Sequence, residues 1–188
     1  MYYDVIMAGF GGQGIQVMSQ IAAVAAIKKG FNVTYLPSYG VEKRGGRTNV
    51  TLVIADEAIG SMVTNHPKCV IAMDTVAVDK YQKLVAPRGL LIMNSSLAPD
   101  SMLHRDDIEP LALRCNDEAQ ALGSAMLSGM IALGAFLQRS GILGFSDVES
   151  VMEDVTPERL IKTIPANLEA IRRGIEIAAN GSARSARE

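Results

Sequence analysis

The sequence contains no tryptophan, and aromatic residues make up only 5% of it. A stacking platform for single-stranded nucleic acid requires several exposed aromatic rings, which this composition does not favour. The formal net charge of -2 gives no excess of positive charge for a phosphate backbone or an anionic membrane. Composition therefore argues against a nucleic-acid-binding protein and against a membrane-surface protein.

Cysteine is also scarce, since only Cys69 and Cys115 are present and they lie far apart. An iron–sulfur cluster or a four-cysteine zinc site needs more thiolates than two, so neither can be assembled from this chain alone. A disulfide is equally unsupported. We expect two buried thiols in a cytoplasmic protein.

Long apolar runs are missing as well. No stretch of about eighteen apolar residues runs without polar interruption, so we expect no membrane span. The first ten residues, MYYDVIMAGF, have no basic start and carry an acid before the apolar run. They do not have the pattern of a signal peptide.

The 188 residues, 48% of them hydrophobic, suit one domain of ordinary size. Apolar runs alternate with helical patterns, which predicts a single-domain α/β fold: a mainly parallel, twisted, Rossmann-like sheet with flanking helices. We expect the domain to span residues 1–180. Residues 181–188 have almost no apolar content and are predicted to form a disordered tail.

Periodicity predicts the position of each element. Helix 15–29 should bury Ile15, Met18, Ile21, Ala22 and Ala25. A last helix should begin at Thr156, be interrupted at Pro165 and then resume. The other predicted helices are 75–85, 117–141 and 146–155, the last capped by Ser146, and the predicted strands are 4–8, 31–37, 47–56, 70–74, 90–96 and a short one within 107–115.

A glycine-rich turn, GFGGQG, follows the first predicted strand. Gly9, Gly11 and Gly14 have the spacing G-x-G-x-x-G between a strand and a helix. Without side chains, backbone N–H groups can approach an anion at the helix N-terminus. Gly12 adds a fourth such position, and Gln13 is the only polar side chain in the turn that could hydrogen-bond a ligand.

A dinucleotide site requires more than this turn. An NAD site expects an acid at the end of the second strand, where this chain has Leu36 and Pro37. An NADP site would place a basic residue there, and none occurs before Lys43. The nucleotide interpretation is therefore weakened, and close packing of the helix on the first strand is the structural alternative.

Two further segments should lie at the same edge of the sheet as the glycine turn, where open α/β sheets bind ligands. PSYGVEKRGGR (37–47) contains two glycine turns around a charged loop, and a solvated loop is the alternative interpretation. MNSSL (93–97) ends the fifth predicted strand, where its polar residues could equally be helix caps.

Together, GFGGQG, PSYGVEKRGG and MNSSL, in this order and at these separations, resemble the γ subunit of the 2-oxoacid:ferredoxin oxidoreductases. A chain of this length without extra domains is most similar to the 2-oxoglutarate type. The resemblance covers roughly residues 4–180, and NLEAIRRG (167–174) is similar to the closing helix of the family. One departure is visible. The family usually carries an asparagine before a Met-x-x-Leu-Gly pattern, where this chain has Gly129.

The resemblance implies a subunit of an enzyme that decarboxylates a 2-oxoacid oxidatively with coenzyme A to give an acyl-CoA. Thiamine diphosphate, Mg and iron–sulfur clusters would belong to partner subunits, since this chain has no GDG motif with a distal asparagine and no cysteine cluster. The implied partners are α, β and ferredoxin-like δ subunits and ferredoxin. This chain would supply no catalytic residue and no metal ligand, and the isolated chain would be inactive.

Glycine backbone and basic side chains converge on one edge of the sheet, and our hypothesis is therefore that the glycine turn and the charged loop cover the active site of such an enzyme from the side. They would contact partner chains, with the anionic end of coenzyme A as a candidate ligand. Arg44 and Arg47 are the favoured phosphate partners because guanidinium binds phosphate bidentately. The full set of expected ligand or interface residues is Gly9, Gly11, Gly12, Gln13, Gly14, Ser38, Tyr39, Gly40, Glu42, Arg44, Gly45, Gly46, Arg47, Asn94 and Ser95.

Several alternatives stay open at this point. They are a free-standing dinucleotide-binding oxidoreductase, a pure scaffold, and a subunit of a pyruvate, branched-chain 2-oxoacid or indolepyruvate enzyme. The alanine- and methionine-rich pattern over 117–141 could leave an apolar patch through which the isolated chain self-associates.

Overall fold

The computed structural model describes residues 1–39 and 46–181, which contain six strands and seven α-helices. The predicted tail at 182–188 lies outside the described residues. The strands are Tyr2–Phe10 (β1), Asn32–Tyr39 (β2), Arg47–Ala55 (β3), Cys69–Ala72 (β4), Leu90–Asn94 (β5) and Glu109–Leu113 (β6). The helices are Ile15–Lys28 (α1), Thr75–Tyr81 (α2), Cys115–Ala121 (α3), Ser128–Ser140 (α4), Phe145–Glu149 (α5), Met152–Val155 (α6) and Ile164–Asn180 (α7).

The strands form one sheet in the order β2-β3-β1-β4-β5-β6. The pairs β1–β4, β4–β5 and β5–β6 are parallel, whereas β3 runs antiparallel to both of its neighbours. The predicted mainly parallel α/β fold is confirmed, with one strand reversed. The short connection between β2 and β3 explains the reversal, since a parallel pair needs a crossover of about a dozen residues or more.

The strand register brings the three sequence motifs to one edge of the sheet. Gly9 at the end of β1 pairs with Thr48 at the start of β3, and Tyr39 at the end of β2 pairs with the same Thr48. The strands β4 and β5 end at this edge as well, because both run parallel to β1. We call this the carboxyl edge, and define it by residues 9–14, 46–48, 73–76 and 94–97.

Helices cover both faces of the central strands. One face packs against α1, α4 and α7 through residues such as Met7 and Ile71, and the other packs against α2 through Ile6 and Val70. All four of these side chains are buried. Strands covered on both faces have continuous apolar sequences, which is why β1 and β4 were recognisable without alternation.

The buried face of α1 is the predicted one: Ile15, Met18, Ile21, Ala22 and Ala25 are all buried. By contrast, the single helix predicted over 117–141 is wrong. The chain breaks after α3, where Gly123 has a φ of 96°, and Ser124 starts a short 3-10 helix by accepting a hydrogen bond from the Met126 amide. Helix α4 begins only after this break, at Ser128. Gly123 and Ser124 thus end one helix and start another within a segment whose apolar pattern alone predicts a single helix.

Other helix boundaries also differ from prediction. The helix predicted over 146–155 is two short helices, α5 and α6. Gly144, not Ser146, caps α5, and its amide donates to Asp147 Oδ2 at 2.8 Å. Pro165 does not interrupt a helix but lies in the first turn of α7, where its missing N–H costs nothing. The preceding Glu158–Thr163 is a 3-10 helix.

The two cysteines are fully buried and free, as expected. Burial raises the pKa of the Cys115 thiol to about 12 and raises the pKa of Cys69 as well. Among the described residues, no helix is both long and apolar enough to cross a membrane.

We therefore expect both thiols to resist alkylation by a maleimide at pH 8 in the native chain and to react once denaturant unfolds it. The reason is that the thiolate is the reactive species and is nearly absent when the pKa lies well above the pH. Mass spectrometry of the labelled chain over time is the measurement. Rapid labelling of the native chain would contradict the burial of these side chains.

Candidate functional site

The glycine turn, which connects β1 to α1, is held in place by backbone hydrogen bonds. The Gly11 amide donates to the Gly46 carbonyl at 3.2 Å, and the Gln13 amide donates to the Phe10 carbonyl at 3.3 Å. Gly14 caps α1 with a φ of 76°, a conformation that favours glycine. The turn is thus fixed both to itself and to the start of β3.

The Gln13 side chain points into the protein and not toward a ligand. Its Oε1 accepts a hydrogen bond from the Phe10 amide at 2.9 Å, and its Nε2 donates to the Met73 carbonyl at 2.7 Å. The residue is buried. A Cβ at Gly9 would overlap Gln13 Oε1, so the absence of a side chain there makes room for the glutamine. Gln13 therefore stabilises the turn from within.

Asn94 has a similar internal role at the end of β5. Its Nδ2 donates to the same Met73 carbonyl at 3.2 Å and to Asn116 Oδ1 at 2.8 Å, and the residue is completely buried. The half-buried Ser95 donates its amide to the Leu113 carbonyl at 2.8 Å. One carbonyl oxygen therefore links the first and third sequence motifs, and neither predicted amide side chain faces solvent.

The N-terminus of α4 lies directly against the glycine turn. A Cβ at Gly129 would lie 2.7 Å from the Gln13 carbonyl oxygen and 3.3 Å from the Gly14 Cα. The position where the family that the motifs resemble usually has asparagine is thus a backbone-to-backbone contact in this chain, and the packing leaves no space for a side chain there.

Only part of the second motif falls within the described residues. Gly40, Glu42, Arg44 and Gly45 lie outside them. Ser38 is exposed at the end of β2, and Tyr39 pairs through its backbone with Thr48. Gly46 and Arg47 lie beside the glycine turn, since Arg47 pairs with Phe10 across the β1–β3 ladder.

Asp74 is a site residue that the sequence analysis did not select. It lies two residues after the end of β4 and is buried, and its Oδ1 accepts a hydrogen bond from the Ala77 amide at 2.8 Å as the cap of α2. The same oxygen is 3.7 Å from Arg47 Nη1, while Oδ2 is buried with no hydrogen-bond partner in the described structure. The sequence does carry a signal for Asp74, since the apolar run of VIAMD (70–74) ends in an acid at the carboxyl edge.

The dinucleotide alternative does not fit this geometry. In a dinucleotide-binding fold the second strand lies next to the first, so that its terminal acid reaches the ribose. Here β3 separates β1 from β2 and runs in the opposite direction. The missing acid and the strand order both argue against an NAD site at this turn.

The described residues also do not fit a metal or cluster site. In residues 1–39 and 46–181, no group of three or more histidine, cysteine, aspartate or glutamate side chains could hold a metal ion. Both thiols are buried singly, on different elements.

Exposed apolar side chains surround the carboxyl edge. Phe10 and Val76 are about two-fifths exposed, at 40% and 39%, and Leu97 is similarly exposed. Val17 in the first turn of α1 is half exposed, and Met126 precedes α4. Backbone polar groups, one exposed arginine and several apolar side chains together suit contact with another protein and with an anionic ligand.

Comparison with known proteins identifies the family. The model of the pyruvate ferredoxin/flavodoxin oxidoreductase family matches residues 4–177. Subunit VorA of a ketoisovalerate oxidoreductase from Methanothermobacter thermautotrophicus is 33% identical over 68% of this chain and 28% of its own length. Subunit KorC of a 2-oxoglutarate synthase from Methanocaldococcus jannaschii is 26% identical over 95% of both chains. This chain therefore spans just over a quarter of VorA but nearly all of KorC.

Solved structures give the same result. The γ subunit of a keto/oxoacid ferredoxin oxidoreductase from Geobacter sulfurreducens has a TM-score of 0.79 at 26% identity, over 95% of this chain and 99% of that chain. A 2-oxoglutarate:ferredoxin oxidoreductase from Magnetococcus marinus has a TM-score of 0.85 at 19% identity, over 95% of this chain but 31% of that chain, and shares the fold. The chain belongs to the pyruvate ferredoxin/flavodoxin oxidoreductase family.

Proposed function

We propose that this chain is the γ subunit of a multi-subunit 2-oxoglutarate:ferredoxin oxidoreductase, which decarboxylates the 2-oxoacid oxidatively with coenzyme A to an acyl-CoA. The end-to-end similarity to KorC, over 95% of both chains, supports the 2-oxoglutarate type. Ketoisovalerate and indolepyruvate oxidoreductase subunits are also similar, so subunits for other 2-oxoacids are the alternative.

The role we propose for this chain is assembly and ligand binding at the carboxyl edge. The observation that carries it is the position of Arg47, whose side chain is 58% exposed beside the glycine turn. Its guanidinium offers hydrogen-bond donors to an anion, while Phe10 and Val76 offer apolar surface to a partner chain. Thiamine diphosphate, Mg and the iron–sulfur clusters would be held by α, β and δ partners, and ferredoxin would accept the electrons.

Coenzyme A is the anionic ligand that fits this proposal. The Magnetococcus marinus enzyme, whose chain includes this fold as about a third of its length, was solved with coenzyme A and succinyl-CoA bound. In such longer relatives the same fold is joined covalently to the rest of the enzyme. In this protein a separate chain would occupy the corresponding position and present its carboxyl edge to the co-substrate.

Replacing Arg47 with alanine tests this proposal. In the assembled enzyme, purified with its partner chains, we expect Arg47→Ala to raise the KM for coenzyme A roughly tenfold, as for the loss of a charge-assisted hydrogen bond. Steady-state reduction of ferredoxin at varied coenzyme A gives the KM, and native mass gives the assembly state. Arg159→Ala, which removes an exposed arginine from the Glu158–Thr163 helix, is the matched control and should leave both unchanged.

The proposal fails if Arg47→Ala changes neither the coenzyme A KM nor the mass of the complex. The same preparation also tests the substrate. With 2-oxoglutarate, pyruvate, ketoisovalerate and indolepyruvate compared at equal concentration, we expect the highest kcat/KM for 2-oxoglutarate.

A further inference from the structure

The ion pair between Arg47 and Asp74 lies across the end of β1, where the glycine turn begins. Arg47 begins β3 and Asp74 follows β4, and β1 lies between these two strands. Neighbouring strands are about 4.8 Å apart, so the backbones of β3 and β4 are separated by roughly 10 Å. The two side chains together bridge this distance across the end of β1. The glycine turn starts at that end, and the guanidinium therefore lies over it.

Asp74 is the fixed member of this pair. Its Oδ1 is held by the Ala77 amide at 2.8 Å, and the preceding Met73 donates its amide to the Ala8 carbonyl at 2.9 Å. The carboxylate is buried, whereas the Arg47 side chain is mostly exposed on a long, flexible stem. The position of the guanidinium is thus determined by the carboxylate and not the reverse.

The contact leaves both partners with unused hydrogen-bonding capacity. Nη1 of Arg47 is 3.7 Å from Oδ1, which is a charge contact longer than a hydrogen bond, and Oδ2 of Asp74 has no partner in the described structure. Guanidinium has five N–H donors in a planar fork. It can therefore face Asp74 with one edge and an anion above the glycine turn with the other.

We propose that Asp74 is a positioning residue, which holds Arg47 across the glycine turn so that its guanidinium meets a phosphate group of coenzyme A. This inference rests on the proposed function of the carboxyl edge. Without the carboxylate, Arg47 samples many rotamers, and the loss of this rotamer freedom on binding weakens the interaction with phosphate. The effect of Asp74 is thus exerted through Arg47.

A purely structural role for Asp74 is the competing explanation, since it caps α2. Asparagine is as good an N-cap as aspartate, so Asp74→Asn keeps the cap and removes the charge. In the assembled enzyme we expect Asp74→Asn to raise the coenzyme A KM about threefold to fivefold, with kcat and melting temperature unchanged. In the Arg47→Ala background, Asp74→Asn should have no further effect on this KM.

The matched control is Asp79→Asn, which removes an exposed carboxylate from the same helix and should leave the KM unchanged. If Asp74→Asn lowers the yield of enzyme, Arg47→Lys provides the test. Lysine keeps the charge but lacks the planar set of N–H donors that can contact Asp74 and an anion at once. The coenzyme A KM should therefore lie between those of the native and Arg47→Ala enzymes.

Three results would overturn the inference without overturning the proposed function. An unchanged KM in Asp74→Asn, with a raised KM in Arg47→Ala, would show that Asp74 is only a cap. A lowered KM would show that the carboxylate merely repels the anion. An equal increase with and without Arg47 would show that Asp74 acts by another route. If Arg47→Ala itself had no effect, the proposed function would fail along with the inference.

Discussion

Gly134→Ala is expected to lower the free energy of unfolding by about 3 kcal/mol, at the upper end of the cost of overpacking a core. A Cβ at Gly134 in α4 would overlap the Ile171 carbonyl oxygen of α7, and one at Gly174 would overlap the Ile131 carbonyl oxygen. The two helices therefore meet backbone to backbone. Alanine normally favours a helix interior over glycine by about 1 kcal/mol, so a loss of stability cannot come from helix propensity.

Urea denaturation of the native and variant chains measures this effect. Gly60→Ala is the control, because a Cβ there meets nothing within 4 Å and the residue does not have a positive φ. The Gly134→Ala and Gly174→Ala double variant should be less destabilised than the sum of the two, because the first substitution already separates the helices. A stability equal to or above that of the native chain would mean that α4 and α7 are not in close contact.

Gln13→Leu is expected to lower the free energy of unfolding by about 2 kcal/mol, because it leaves the part-buried Phe10 amide without its acceptor. It also removes one of the two side-chain donors to the buried Met73 carbonyl, and Asn94 remains as the other. The glycine turn should also lose its fixed geometry. Hydrogen exchange at the Phe10 amide should therefore accelerate more than exchange in the centre of β1.

Gln20→Leu is the matched control, since it makes the same substitution at an exposed position of α1. It should change the free energy of unfolding by less than about 0.5 kcal/mol. If Gln13→Leu were equally mild, the side chain would be free to face a ligand, as the sequence pattern had suggested.

Much of the fold could be predicted because the central strands are buried on both faces. The apolar runs around Met7 and Ile71 follow from that burial, and the period of α1 follows from its one buried face. The apolar runs did not show whether neighbouring strands pair parallel or antiparallel. The β2–β3 hairpin and a parallel pair have similar apolar patterns, and only the short connection between the strands distinguishes them.

The candidate site could be located but not resolved from sequence. Glycine spacing indicated a turn at the carboxyl edge, and the structure places Arg47 beside it. Whether Gln13 and Asn94 point inward or outward depends on the Met73 carbonyl, which comes from a distant strand. Asp74 was overlooked for the same reason, since its ion pair with Arg47 forms only when β3 and β4 lie on either side of β1.

The glycines of this chain thus have two different uses. Gly134 and Gly174 allow two helices to pack closely, far along the chain from the turn, and Gly129 brings α4 against the turn itself. The hydrogen bonds of the buried Gln13 side chain hold the inner side of the glycine turn. Its outer side and Arg47 are left for contact with a ligand or partner. A rigid support of this kind favours precise binding on its outer surface.

Hydrogen–deuterium exchange on the enzyme assembled with its partner chains, with and without coenzyme A, measures whether the carboxyl edge contacts the partner chains and coenzyme A. We expect assembly to protect the carboxyl edge, residues 9–14, 46–48, 73–76 and 94–97, relative to the isolated chain. Addition of coenzyme A should further protect the glycine turn and Arg47. Protection confined to the opposite edge of the sheet, with no change at the glycine turn in either comparison, would contradict the proposed binding role of the carboxyl edge.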